Sequence, residues 1–182
     1  MQKYLISLIA ILCLSHSPTR AFVAPLSSQA AQHSSGLWEL NKAEASKADL
    51  TASEEKVYNI LEEIQSSKLA FRTVVVGNGA ILESTNVMGP VLKLGQSPKS
   101  GANIATFASE DQSFEFHVMT AQVKKISLTE KESPATGRTM RILRLTKEDA
   151  KPICSLILAD DTDEAATWYK GIVSKYGEEI EL

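Results

Sequence analysis

The chain has 182 residues, 43% of them hydrophobic, with 19 Lys+Arg against 22 Asp+Glu, a length that suits one ordinary domain rather than two. Of the charged residues only Lys3 and Arg20 precede Glu39, so the remainder carries 17 basic against 22 acidic residues; that net charge of −5 excludes a general affinity for nucleic acid or anionic lipid. The two cysteines, Cys13 and Cys154, leave one thiol beyond the leader and exclude a disulfide scaffold.

Lys3 precedes an apolar run from Tyr4 to Leu14, too short to cross a bilayer core and suited to the h-region of a signal peptide. Small Ala21 suits a cleavage site, and the following tract from Leu26 to Gly36 is rich in Ser and Ala and free of acid, the composition of a transit peptide. The stretch Ala21-Phe22-Val23-Ala24-Pro25 resembles the cleavage motif of bipartite presequences that direct proteins into secondary plastids of algae. The chain is thus expected to divide into a signal peptide at 1–21, a transit peptide or disordered linker at 22–40, and a single domain at 41–182. Membrane contact is expected only through the cleaved signal peptide. The alternative destination is secretion, with the Ser/Ala tract as a plain linker.

Thr51-Ala52-Ser53-Glu54 offers a capping box, and Val57, Ile60, Leu61 and Ile64 recur at helical spacing, which predicts an amphipathic helix over residues 52–66. From Leu69 the period changes to about two. Strands are predicted at 69–76, 80–87, 90–95, 102–108, 113–120, 123–130, 138–146 and 152–159. Gly77-Asn78-Gly79, Asp111-Gln112 and residues 148–151 read as hairpin turns, and residues 133–137 as a longer loop. The acids from Asp160 to Glu164 suit the start of a helix whose broad apolar face runs from Ala165 through Trp168, Tyr169, Ile172 and Val173 to Tyr176, with Gly177 as its stop. The expected class is α+β: a curved antiparallel sheet, a partial barrel or sandwich of about eight strands, with an N-terminal and a C-terminal helix.

No Gly-rich phosphate loop, zinc-protease helix, C-x-x-C or nucleophile elbow occurs, and beyond the leader only His117 could serve a Ser or Cys nucleophile as base. The sequence therefore reads as non-enzymatic. In Phe114-Glu115-Phe116-His117-Val118-Met119, alternation puts Phe114, Phe116 and Val118 on one face and Glu115, His117 and Met119 on the other. With the Phe face in the core, His117 meets solvent or a cavity, where an imidazole either ligates a metal or haem iron or has no task. Met88, Met119 and Met140 are polarizable residues that line a flat ligand or fill core gaps. Arg141 takes the opposite side of its strand from Arg138 and Arg144. Anionic groups such as propionates, or cross-strand acids, are the partners open to these arginines. Cys154 reads as a small buried thiol.

The hairpin residues Gly79-Ala80-Ile81-Leu82-Glu83, the block Ser113-Phe114-Glu115-Phe116-His117-Val118, the strand Met140-Arg141-Ile142-Leu143-Arg144-Leu145 and Cys154-Ser155-Leu156-Ile157-Leu158 ahead of Asp161-Thr162-Asp163-Glu164-Ala165 and Trp168 resemble the ChuX/HutX-like haem-utilisation superfamily, in its cyanobacterial and plastid branch. The resemblance spans roughly residues 52–177. It implies haem bound on a curved antiparallel sheet, with His117 as axial ligand and metal-binding residue and with Met119 and Arg141 as cofactor-binding candidates. No second histidine remains beyond the leader to complete a bis-histidine site within one subunit, so a Met or Tyr, a shared homodimer site, five-coordinate iron or loss of haem binding are the open forms. The implied role is a plastid haem-binding protein for haem trafficking or iron-responsive regulation; the alternative is a plastid module that engages a partner protein without haem.

Overall fold

The structure, a computed structural model, describes residues 45–111 and 113–182. The expected signal and transit segments, and Gln112 of the expected turn, lie outside the described residues.

After a 3-10 turn at Lys47–Asp49, helix α1 (Ala52–Ser67) begins at the predicted capping box. The Thr51 hydroxyl accepts from the Glu54 N–H at 3.3 Å, and Glu54 Oε2 accepts from the Thr51 N–H and hydroxyl at 3.0 and 2.9 Å. The stripe Val57, Ile60, Leu61 and Ile64 is buried as its spacing required, and each such burial contributes roughly 1.5–3 kcal/mol. Nine strands follow in chain order: β1 (Ala70–Val76), β2 (Ile81–Val87), β3 (Val91–Gln96), β4 (Asn103–Ala108), β5 (Glu115–Met119), β6 (Lys125–Glu132), β7 (Thr139–Thr146), β8 (Pro152–Leu158) and, after helix α2 (Asp163–Tyr176), β9 (Glu179–Glu181). All pairings are antiparallel.

The α+β class and both helices are as expected, while the strands divide between two sheets that do not close into a barrel. One has the order β2-β1-β8-β7-β6-β9 and the other β3-β4-β5. The larger sheet presents Phe71, Leu143, Leu145, Leu156, Leu158, Ile126 and Ile180 on one face, and helix α2 lies there, with Trp168 edge-on to Phe71 at 5.5 Å between ring centroids. Helix α1 packs against β3 and β4, and its Glu63 accepts from Lys175 and, at 3.2 Å, from the Tyr176 hydroxyl of α2. One hydrophobic cluster joins both sheets and both helices.

The chain passes between sheets at Met88-Gly89-Pro90. Gly89 has φ +62, and a Cβ on it would lie 2.1 Å from the Ala108 carbonyl oxygen, so both the backbone conformation and the close approach of two strands require glycine. Gly89→Ala is expected to cost about 2–4 kcal/mol, from the left-handed φ plus the forced separation of β3 and β4. Urea unfolding monitored by far-UV circular dichroism measures this, and a loss below 1 kcal/mol would contradict the close approach.

Glu54 is buried, yet holds its charge. Burial pushes its pKa up, but the hydrogen bonds from Thr51, Thr120 and Asn103 outweigh this and hold the carboxyl below the ordinary value of 4.5. A folded value below the unfolded one gives stability that is fully present above the unfolded pKa and is lost as pH falls through the folded value. Glu54→Gln is therefore expected to lower stability by about 1–3 kcal/mol at neutral pH. The deficit should shrink as wild type and variant are titrated into acid. An equal deficit at pH 7 and pH 3 would show that the charge is not what matters.

Candidate functional site

Cross-strand register settles which side chains share the face of His117. Thr106 of β4 pairs with His117 of β5 and with Lys93 of β3; Ile104 pairs with Met119 and Gly95; Ala108 pairs with Glu115 and Val91. Paired residues of antiparallel strands project to the same side. The opposite face carries Leu92, Phe107 and Phe116 in one row and Leu94, Ala105 and Val118 in the next. Phe107 and Phe116 stack there at 6.2 Å, and the face belongs to the core. His117 and Met119 therefore stand on the outer face, as the alternation required, with a His117 side chain 40% exposed and Met119 45% exposed.

The imidazole is held on both sides. Nδ1 lies 2.8 Å from the Thr106 hydroxyl and Nε2 3.2 Å from Glu115 Oε2. Thr106 is buried on the middle strand, so Nδ1 is turned across the sheet to β4 and Nε2 to Glu115 on its own strand. In the neutral ring an Nε2 proton directed at the carboxylate leaves Nδ1 to accept from the Thr106 hydroxyl, the assignment the surrounding groups favour. The hairpin that presents this face is closed by Ser109 N–H donating to the Phe114 carbonyl at 3.0 Å. Within it Asp111 accepts from Ser109 and Ser113, which hold its carboxyl down at about 2.

Arg141 is not brought to this face. It projects from β7 on the helix-covered side of the larger sheet, its side chain 9% exposed, where Nη1 donates to Asp161 Oδ1 at 2.6 Å and Nε lies 3.1 Å from Glu130 Oε1. That bond draws the Asp161 carboxyl below its ordinary value. The cation that does share the His117 row is Lys93, which sequence periodicity could not place because its partner is fixed only by β3–β4 register. Clefts among the described residues include one of about 560 Å³ with Lys124, Lys125 and Lys147 and one of about 240 Å³ with Glu130, Tyr169 and Glu178. Neither includes a residue of the three-stranded sheet. Among the described residues no group of three or more His, Cys, Asp or Glu side chains is arranged to hold a metal ion.

Cys154 lies in the core, and burial pushes its thiol up to about 12. In the native protein at pH 8 the peptide carrying Cys154 is expected to take up no alkylating label within the time that labels it completely in denaturant, as peptide mass mapping would read. Fast native labelling would place the thiol outside the core.

Two antiparallel sheets, the smaller packed on α1 and the larger on α2, define an α+β class of fold. No family model matches the sequence, and no curated protein matches it. Solved structures do match. A protein from Erwinia carotovora superposes with a TM-score of 0.53 at 11% identity, over 68% of this chain and 73% of that one. A protein from Agrobacterium tumefaciens does so with a TM-score of 0.54 at 10% identity, over 68% and 69%. The haem-binding protein ChuX gives 0.53 at 12% identity, over 68% and 74%. The chain therefore has a ChuX-like fold.

Proposed function

We propose that this chain is a non-enzymatic haem-binding protein that carries haem or reports its supply in a plastid, with His117 as the iron ligand. The observation that carries the reading is the half-exposed imidazole on the outer face, with Val91, Ile104, Ala108 and Met119 around it and Lys93 in the same cross-strand row. A flat apolar macrocycle suits such a face, and an ammonium suits its propionates. The fold shared with ChuX, a protein described as haem-binding, supports the reading. Met119 stands two residues along the strand, about 7 Å from His117 at the usual rise, where a soft thioether packs against a ring.

Bound haem would supply an iron that takes one imidazole nitrogen. Nε2 is the nitrogen that can reach outward, because Nδ1 is turned to buried Thr106. Glu115 Oε2 lies 3.2 Å from Nε2, so a metal held by that nitrogen would have to displace this carboxylate contact. Glu115 is thus a competitor for the ligand nitrogen, while Thr106 fixes the ring plane.

Titrating hemin into the purified protein is expected to give a Soret band that His117→Ala abolishes or shifts. Glu115→Gln is expected to bind hemin several-fold more tightly, because an amide competes less well than a carboxylate for the Nε2 proton. A His117→Ala protein with an unchanged hemin spectrum would remove the ligand assignment. Absence of any hemin binding would leave the partner-protein module as the reading. The plastid destination rests on the presequence, and secretion of a reporter fused to residues 1–40 would overturn it.

A further inference from the structure

The cleft of about 240 Å³ lies between β6 and α2 and includes no residue of the sheet that carries His117. Three polar side chains enter it from different elements: Glu130 from β6, Tyr169 from the middle of α2, and Glu178 from the turn after α2. Glu130 is placed by register, opposite Arg141 of β7. Glu178 is placed by its own backbone. Gly177 takes φ +85, and the Glu178 carbonyl then accepts from the Leu128 N–H at 2.7 Å, which brings the residue onto β6. Between these groups the lining is apolar, from buried Leu128 and from Val173, which packs against the core.

All three polar groups have bonding capacity to spare. Tyr169 is only 3% exposed, yet its hydroxyl makes no hydrogen bond among the described residues. A buried hydroxyl left in that state is uncommon in a native fold and marks a place that something from outside completes. Burial, then Glu130 and Glu178, push the phenol up to about 12, so at neutral pH it is uncharged and its oxygen can accept. Glu178 has no ion-pair partner among the described residues. Glu130 lies 3.1 Å from Arg141 Nε without the alignment of a hydrogen bond, and Nη1 of that arginine is bonded to Asp161. The cleft also opens at the carbonyl end of α2, through Val173 and Ser174 of its last turn, where the helix dipole favours a cation. The lysines of that stretch do not supply one: Lys175 is bonded to Glu63, and Lys170, which lines the cleft, pairs with neither acid.

The kind of cation follows from the lining. A hard divalent ion wants on the order of six oxygen ligands, more than three side chains and two aliphatic walls offer. An alkylammonium brings three N–H donors, one for each carboxylate and one for the phenolic oxygen, and methylenes for Leu128 and Val173. The volume lies below the roughly 300–1,000 Å³ of common ligand pockets, so the ligand is small. We propose that this cleft binds a small aliphatic amine of the diamine class, one ammonium held by Glu130, Glu178 and the Tyr169 hydroxyl and the methylene chain lying on Leu128 and Val173.

The test uses the full chain, with putrescine as the probe. Isothermal titration calorimetry at fixed ionic strength is expected to show saturable binding. Glu178→Gln and Tyr169→Phe are each expected to weaken it about tenfold, the usual loss for one hydrogen bond to a charged group. Lys170→Gln is expected to tighten it several-fold, because a like charge leaves the rim. Thermal melts read the orphaned hydroxyl separately. Without amine, Tyr169→Phe should melt no lower than wild type, since its hydroxyl bonds nothing; with amine, it should lose most of the rise in Tm that the wild type gains. Absence of saturable binding, undiminished binding by Tyr169→Phe, or tighter binding of magnesium ion than of putrescine in the same cleft would overturn the proposal.

Discussion

Glu54 joins parts of the protein that the sequence keeps far apart. One carboxylate oxygen closes the cap of α1 through Thr51, and the other accepts from the Thr120 hydroxyl at 3.0 Å and from Asn103 Nδ2 at 3.2 Å. Asn103 begins β4 and Thr120 follows β5, so one side chain ties the helix start to two of the three strands of the small sheet. No cation pairs with it among the described residues; four hydrogen bonds alone carry the cost of removing the charge from water. A carboxylate satisfied in this way tolerates little displacement, because each lost donor exposes a buried charge. The orientation of α1 against the small sheet, and with it the side of the sheet that faces the core, follows from this anchor and from the aliphatic stripe beside it.

Once that side is fixed, the position of His117 is no longer free. Phe116 and Val118 must enter the core with Phe107 and Leu92, so the residues between them must leave it. A one-residue slip of β5 would bury His117, Glu115 and Met119 and expose two aromatic rings, an exchange worth several kcal/mol against the slip. The outer face thus inherits its precision from the inner one. Thr106 adds the finer step: being buried, its hydroxyl needs a partner, and the imidazole nitrogen at 2.8 Å supplies it, which restrains the ring about its second torsion.

This logic explains what could be read from the chain without coordinates. The helices and eight of the nine strands were legible because hydrophobic period changes sharply near Leu69 and again near Asp160, and the face of His117 was legible because side chains alternate along any strand. Strand β9 was not: Ile180 is a single apolar residue between two acids, and its burial depends wholly on where β6 lies. The division into two sheets was not legible either, since successive hairpins give the same local pattern whether the chain continues one sheet or begins another. The break at Gly89 is visible only as the approach of Ala108 to its α-carbon. Among site residues, Thr106 and Lys93 needed the register, which no periodicity within one strand encodes.

Arg141 shows how a buried cation differs from one poised for a ligand. Its guanidinium is met by Asp161, just before α2, and approached by Glu130 from the neighbouring strand β6. A guanidinium this buried needs such carboxylates simply to remain in the fold, and removing either would leave charge without compensation. Its partners also fix where α2 begins, because Asp161 immediately precedes the N-cap Thr162, whose hydroxyl accepts from the Ala165 N–H at 3.2 Å. A ligand carboxylate competing for Arg141 would have to displace that start of the helix. Lys93, exposed and on the face of His117, pays no such penalty for reaching an anion. The same charge type is structural on one sheet and available on the other because burial, rather than the residue, decides what each side chain is free to do.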